Sequence, residues 1–146
     1  MNTILLEQTK SILEEKDLLA ALCNTAALLY DATDNINWLG FYLYKNGELV
    51  LGPFAGKVAC THIAIGKGVC GTSFEEKKIL NVKNVYEFKG HIACDSASKS
   101  ELVIPLGNYG VLDIDAPVYE RFTSEDEETF SQIGKLIEQR LATASL

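Results

Sequence analysis

One short stretch constrains the fold more than any other. Residues 38–44 read Trp-Leu-Gly-Phe-Tyr-Leu-Tyr, residues 45–48 read Lys-Asn-Gly-Glu, and Leu49, Val50 and Leu51 follow. Aromatic and apolar residues suit the pleated surface of a strand. The Asn46-Gly47 pair accepts the positive φ angles that a two-residue hairpin turn needs. The stretch is therefore expected to be a hairpin, with Gly52-Pro53 ending its pairing. Alternation along its first strand puts Trp38, Gly40, Tyr42 and Tyr44 on one face and Leu39, Phe41 and Leu43 on the other. A lone tryptophan is by default a core residue; the alternative here is an aromatic wall beside a ligand.

The elements around the hairpin follow from periodicity and punctuation. Residues 3–30 repeat apolar side chains at helical spacing, as one helix or two, with Asp17 able to cap the second and Cys23 expected as a small core residue. Residues 57–65 alternate as a third strand, which would put Val58, Cys60, His62 and Ala64 on one face. Gly66-Lys67-Gly68 is a turn, and residues 69–77 form a short helix with Cys70 in its first turn, where a helix N-terminus lowers a thiol's pKa. Residues 79–82 are a short strand. Residues 84–100 are a polar loop that contains Cys94, and a loop of that length in a compact domain points to function. Residues 102–106 and 111–114 are two strands joined by the turn at residues 107–110. Ser124 and Glu127 are expected to form a capping box, opening a last helix to about Ala142 with Phe130, Ile133, Leu136, Ile137 and Leu141 buried. Helices at the chain ends and hairpin links between about six strands make this α+β, with a mainly antiparallel sheet, in one domain over residues 1–146.

Charge and composition exclude several classes of function. The 146 residues carry a formal net charge of −7, against both nucleic acid and anionic membrane surfaces, which need a basic face. No apolar run approaches the ~20 residues of a membrane span, and the first residues lack the uninterrupted apolar segment of a secretory signal. A cytoplasmic location is expected, and there four cysteines are buried hydrophobes, metal ligands or redox groups rather than structural disulfides.

Residues 52–94 hold three of those cysteines (Cys60, Cys70, Cys94), both histidines (His62, His91) and many of the glycines. The cysteines lack the close pairs of a structural zinc site, although Cys60 and His62, two residues apart, are a conceivable ligand pair. Inert core thiols are the plain alternative. The polar setting of Cys94, His-Ile-Ala-Cys-Asp, weighs toward a reactive thiol. In residues 111–115, Val-Leu-Asp-Ile-Asp, alternation puts Asp113 and Asp115 together, opposite Leu112 and Ile114. Two like charges on one strand face are tolerated if the face is solvated or if a cation sits between them, a metal or a ligand's ammonium group. Glu101 opens the preceding strand, as a surface charge or as a third acid. These residue types together suggest a small cationic or zwitterionic ligand held by acids near a reactive cysteine.

The same segments resemble one family closely. Asn37-Trp38-Leu39-Gly40-Phe41-Tyr42, residues 51–60 (Leu-Gly-Pro-Phe-Ala-Gly-Lys-Val-Ala-Cys), Gly66-Lys67-Gly68-Val69-Cys70-Gly71-Thr72, His91-Ile92-Ala93-Cys94-Asp95, Ser100-Glu101-Leu102-Val103-Ile104-Pro105 and Gly110-Val111-Leu112-Asp113-Ile114-Asp115 are similar, in order, to motifs of the free methionine-R-sulfoxide reductases, which are built on the GAF domain. The resemblance implies a GAF fold and reduction of the R epimer of free methionine sulfoxide, with no cofactor and no metal. It implies Cys94 as nucleophile, Cys60 as resolving cysteine and Cys70 as a third, less settled member that relays a second exchange or takes the main role. It implies a substrate pocket lined by Trp38, Glu101, Asp113 and Asp115, and a thioredoxin-like dithiol as reductant, in a protein of the oxidative-stress response. Homodimers are common among GAF domains, with the N-terminal helix as an available contact. The turn at residues 107–110 is shorter than the hairpin expected of this family. A small-molecule-sensing GAF module is the alternative function.

Overall fold

Asn46 and Gly47 adopt φ angles of 51° and 84°, and the turn pairs Lys45 with Glu48. The hairpin predicted from the sequence is thus formed. The computed structural model describes residues 1–91 and 97–143. Two helices, α1 (Thr3–Ile12) and α2 (Leu18–Ala32), lead into β1 (Trp38–Lys45) and β2 (Glu48–Gly56). A short β3 (His62–Ala64), helix α3 (Gly68–Glu76), β4 (Leu80–Val82) and a 3-10 turn (Val85–Glu87) follow. The hairpin β5 (Ser100–Pro105) and β6 (Gly110–Ala116) then leads to α4 (Ser124–Ala142). The six strands form one sheet in the order β3-β2-β1-β6-β5-β4, and every pairing is antiparallel. The α+β class with helices toward the chain ends is the one expected.

The sheet separates two apolar clusters. Leu39, Phe41, Leu43, Leu102, Ile104, Leu112 and Ile114 project to one face and pack with Leu22 and Leu29 of α2, Leu5 of α1, and Ile133 and Ile137 of α4. Trp38, Tyr42, Leu49, Val103 and Val111 project to the other, against Ile63 of β3 and Val69, Cys70 and Phe74 of α3. Asp17 caps α2, its carboxylate accepting from the Ala20 N–H at 2.9 Å. None of the described helices is long and apolar enough to cross a membrane.

Four local expectations are corrected. The hairpin pairing does not end at Gly52-Pro53: Tyr42 lies opposite Leu51 and Gly40 opposite Phe54, so β2 carries one extra residue in a bulge and pairing resumes beyond it. Proline is tolerated in a bulge because its missing N–H breaks no ladder bond there. Residues 57–61 are not strand, and Val58 is exposed. Two of their carbonyls are taken by side chains instead, Lys57 O by the Trp38 Nε1–H at 3.1 Å and Cys60 O by the Tyr42 hydroxyl at 3.0 Å. Cys23 is exposed, because α2 buries Leu18, Ala21, Leu22, Thr25, Ala26 and Leu29 and the helical period turns Cys23 outward. The capping box of α4 sits one residue earlier than expected: Thr123 accepts from the Asp126 N–H, and the Asp126 carboxylate accepts from the Thr123 N–H.

Candidate active site

Strand register assembles one wall of the site. Trp38 on β1 lies opposite Asp115 on β6, which lies opposite Glu101 on β5. One pleat further on, Gly40, Asp113 and Val103 form the next row. The two-residue period puts all six on the face away from the helical core. Gly40 makes room there: a Cβ at that position would lie 2.3 Å from Phe54 Cβ and 2.8 Å from Trp38 Cη2. Its absence lets the Trp38 and Phe54 rings stack at 5.3 Å, and the Tyr42 ring also stacks with Trp38 at 5.8 Å. The tryptophan is held by these rings and by its bond to Lys57 O, so its orientation is fixed before any ligand arrives.

Helix α3 supplies the facing wall. Cys70 in its first turn places Sγ 3.8 Å from Glu101 Oε2. The pocket between the two walls is lined by Trp38, Tyr42, Cys70, Glu101, Asp113 and Asp115, with Ala59 beside Cys60, and with Lys67, Gly68 and Val69 at the helix start. His91 and Ser98, on either side of the undescribed segment, also line it. No side chain caps the N-terminus of α3, so its first N–H groups remain donors at the pocket edge.

Glu101, Asp113 and Cys70 are 8%, 5% and 5% exposed. Glu101 is therefore no surface charge. Burial, and then the charges of Asp115 and Glu101, push the Asp113 carboxyl well above its ordinary value, which favours the protonated form of this acid. Its Oδ1 has no hydrogen-bond partner. The Cys70 thiol is also pushed up, first by burial and then by Asp113, Glu101 and Asp115. This reverses the expectation from its helix position: the favourable helix end is outweighed by desolvation and three carboxyl groups within reach. The Tyr42 hydroxyl is raised by burial and by Asp113 as well. A neutral Cys70 thiol is a weak nucleophile, since the thiolate is the reactive form.

The cysteines are thus unlike one another. Cys70 is a buried free thiol, Cys23 an exposed free thiol, and Cys60 is disulfide-bonded. Cys94 lies outside the described residues. Cys60 and His62 do not form a ligand pair: the sulfur is in a disulfide, and His62 Nδ1 faces Glu48 Oε2 at 3.2 Å on an exposed edge. Among the pocket residues not singled out from the sequence, Tyr42 was legible, because alternation places it beside Trp38. Ser98 was not. It is anchored by the Asn37 side-chain amide, which donates to its hydroxyl at 3.1 Å, a contact between residues far apart in the chain.

Acids and an aromatic ring on one wall and free helix N–H groups on the other suit a small zwitterion with an apolar end. Comparison with known proteins agrees. Residues 13–142 match the GAF domain family. The chain is 50% identical over 133 residues to the free methionine-R-sulfoxide reductase of Escherichia coli K12, covering 88% of this chain and 81% of that one. Among solved structures, the reduced form of fRMsr of Staphylococcus aureus superposes with a TM-score of 0.91 at 51% identity, covering 95% of this chain and 94% of that one. The free methionine-R-sulfoxide reductase of Neisseria meningitidis, solved in complex with its substrate, has a TM-score of 0.90 at 39% identity, covering 94% and 86%. The chain belongs to the GAF-domain family of free methionine-R-sulfoxide reductases.

Proposed function

We propose that this chain reduces free methionine-R-sulfoxide to methionine, using the described pocket to hold the amino acid and Cys94 to attack it. The observation that carries the reading is the pocket's match to a zwitterion. Glu101, Asp113 and Asp115 offer carboxyl oxygens to the ammonium group. The N–H groups at the start of α3 face the carboxylate. Trp38, held by stacking with Tyr42 and Phe54, packs against the methyl end.

The chemistry then balances as follows. The Cys94 thiolate attacks the sulfoxide sulfur, and the sulfoxide oxygen needs a proton as its bond to that sulfur weakens. Asp113 is the acid best suited to donate it, because its buried carboxyl keeps its proton where ordinary carboxyls have lost theirs. Methionine leaves, and Cys94 is left as sulfenic acid, two electrons more oxidised than the thiol. Cys60 displaces water from that sulfur and closes a disulfide. The disulfide-bonded state of Cys60, beside free thiols at Cys70 and Cys23, supports Cys60 in the resolving role. The raised Cys70 thiol supports a secondary part for that residue. A thioredoxin-like dithiol returns two electrons and opens the disulfide. We further propose that residues 1–146 act as one GAF domain in the cytoplasm, with α1 available as the contact of a homodimer.

The test is NADPH consumption by thioredoxin reductase and thioredoxin with free methionine-R-sulfoxide, the S epimer or a sulfoxide-containing peptide. Consumption with the free R epimer alone is the expected result. Cys94→Ser should abolish it, and Cys60→Ser should permit one turnover of stoichiometric methionine and then stall. No consumption with any substrate, from folded and reduced protein, would return the chain to a ligand-sensing role. Sustained cycling by Cys60→Ser would move the resolving step to Cys70.

A further inference from the structure

We propose that Cys70, Glu101 and Asp113 also form a site for a thiophilic divalent cation, Zn²⁺ above all, in the wall of the same pocket. One sulfur and one oxygen from each carboxylate lie within 4.8 Å of one another. The strands and α3 hold all three residues, so none has to be recruited from a loop. Cys70 Sγ and Glu101 Oε2 stand 3.8 Å apart. In a tetrahedral zinc site with ordinary bond lengths, a sulfur and an oxygen ligand are separated by about 3.6 Å. The observed pair therefore needs almost no adjustment, and an Asp113 oxygen lies within 4.8 Å of both.

Two further observations point to a cation rather than to a bare acidic cluster. Asp113 is buried, and its Oδ1 has no partner, so the carboxyl group that joins the two other donors carries an acceptor without a hydrogen bond. Buried polar atoms left in this condition call for an explanation, and an unfilled ligand position is one. The mixed donor set also selects among cations. Magnesium and calcium take oxygen ligands only, whereas a thiolate with two carboxylates suits zinc. Binding exchanges the Cys70 thiol proton and the Asp113 carboxyl proton for bonds to the metal, releases both protons to solvent and moves no electrons. All three residues line the pocket, which provides the way in and leaves a fourth position open toward it.

Glu101 and Asp113 are also assigned to the substrate, so the cation and free methionine-R-sulfoxide should exclude each other. This consequence rests on the proposed function, whereas the site itself does not. The test uses Co²⁺ as a spectroscopic probe on oxidised protein, in which Cys60 is disulfide-bonded and Cys70 is free. We expect one Co²⁺ per chain and a near-ultraviolet thiolate-to-cobalt band. The band should vanish in Cys70→Ser, and in Asp113→Asn it should persist with binding weakened about tenfold or more. Circular dichroism checks that each variant is folded, and Asp113→Asn decides if Cys70→Ser is not. No band with folded wild-type protein, a band that survives Cys70→Ser, or unchanged affinity in Asp113→Asn overturns the site. Added methionine-R-sulfoxide should bleach the band. A band that meets every other criterion but resists the substrate leaves the cation site standing and removes the substrate from this pocket.

Discussion

The two faces of the sheet are built from the same strands and solve opposite problems. On β6, Leu112 and Ile114 look toward α2 and α4 and are completely buried among apolar neighbours. Asp113 lies between them in sequence and is almost as buried, yet faces Glu101, Asp115 and Cys70. One face lowers the free energy of the fold by removing apolar surface from water. The other gathers carboxyl groups that repel each other and leaves one oxygen unpaired, which destabilises the fold. The difference teaches where stability and function sit in this chain: the function lies on alternate residues of the strands that carry the core, and the core holds the unfavourable face in place.

Truncation on the core face tests that division most severely. Leu112→Ala should destabilise by about 2–5 kcal/mol, the cost of lost burial and a cavity that neighbours fill only in part. Denaturant unfolding followed by circular dichroism measures it. Activity per folded molecule should be unchanged under conditions where the variant stays folded, because Leu112 projects to the opposite face from the pocket. A drop in kcat/KM without a drop in stability would mean that the faces are not separable.

Neutralising the next residue should do the reverse. Asp113→Asn keeps the shape and removes one of three neighbouring acids, so stability should rise, by about 1 kcal/mol, while turnover falls about a hundredfold or more as the proton donor is lost. The pH dependence carries the same sign. The Asp113 carboxyl is raised above its ordinary value of 3.8 in the fold, so above that pH the unfolded chain releases a proton that the native state keeps. Wild-type stability should therefore fall as pH climbs from about 4 toward the raised value, and the component due to Asp113 should be absent from Asp113→Asn. Urea midpoints measured across that range for both proteins check it. Parallel profiles would show that the acid is not the source of strain.

What could be read from the chain alone follows from the same contrast. Period-two alternation is a local signal, and by itself it places Trp38 with Tyr42 and Asp113 with Asp115. The hairpin at Asn46-Gly47 and the cap at Asp17 were legible for the same reason, since each is decided by residues a few positions apart. What misled was local reasoning where distant groups decide. The helix start suggested a lowered Cys70 thiol, but three carboxyl groups from β5 and β6 and the loss of solvent reverse it. The alternation of residues 57–65 suggested a long strand, but Trp38 and Tyr42 take the carbonyls of Lys57 and Cys60. Cys23 was misplaced because an apolar helix as rich as α2 does not show its inner face by composition alone. The short turn at residues 107–110 proved remote from the acids, at the end of the β5–β6 hairpin opposite Glu101 and Asp115.

The mildest expected effect concerns an element on the opposite face of the sheet from the chemistry. Helix α4 covers the core face, and its N-terminus is fixed by Thr123 and Asp126, with Arg121 holding the same Asp126 oxygen at 3.0 Å. Thr123→Ala removes the side-chain oxygen that accepts from the Asp126 N–H, which costs about 1 kcal/mol for a cap of this kind. Asp126 keeps its partners at Arg121 and at the Thr123 N–H, so the helix should fray only in its first turn. Because Thr129, Phe130, Ile133 and Ile137 anchor α4 on the far side of the sheet from the pocket, KM and kcat for methionine-R-sulfoxide should match wild type while the unfolding midpoint drops. A shift in KM larger than the loss of stability would reveal coupling through the sheet, and the core face would then be shaping the pocket as well as supporting it.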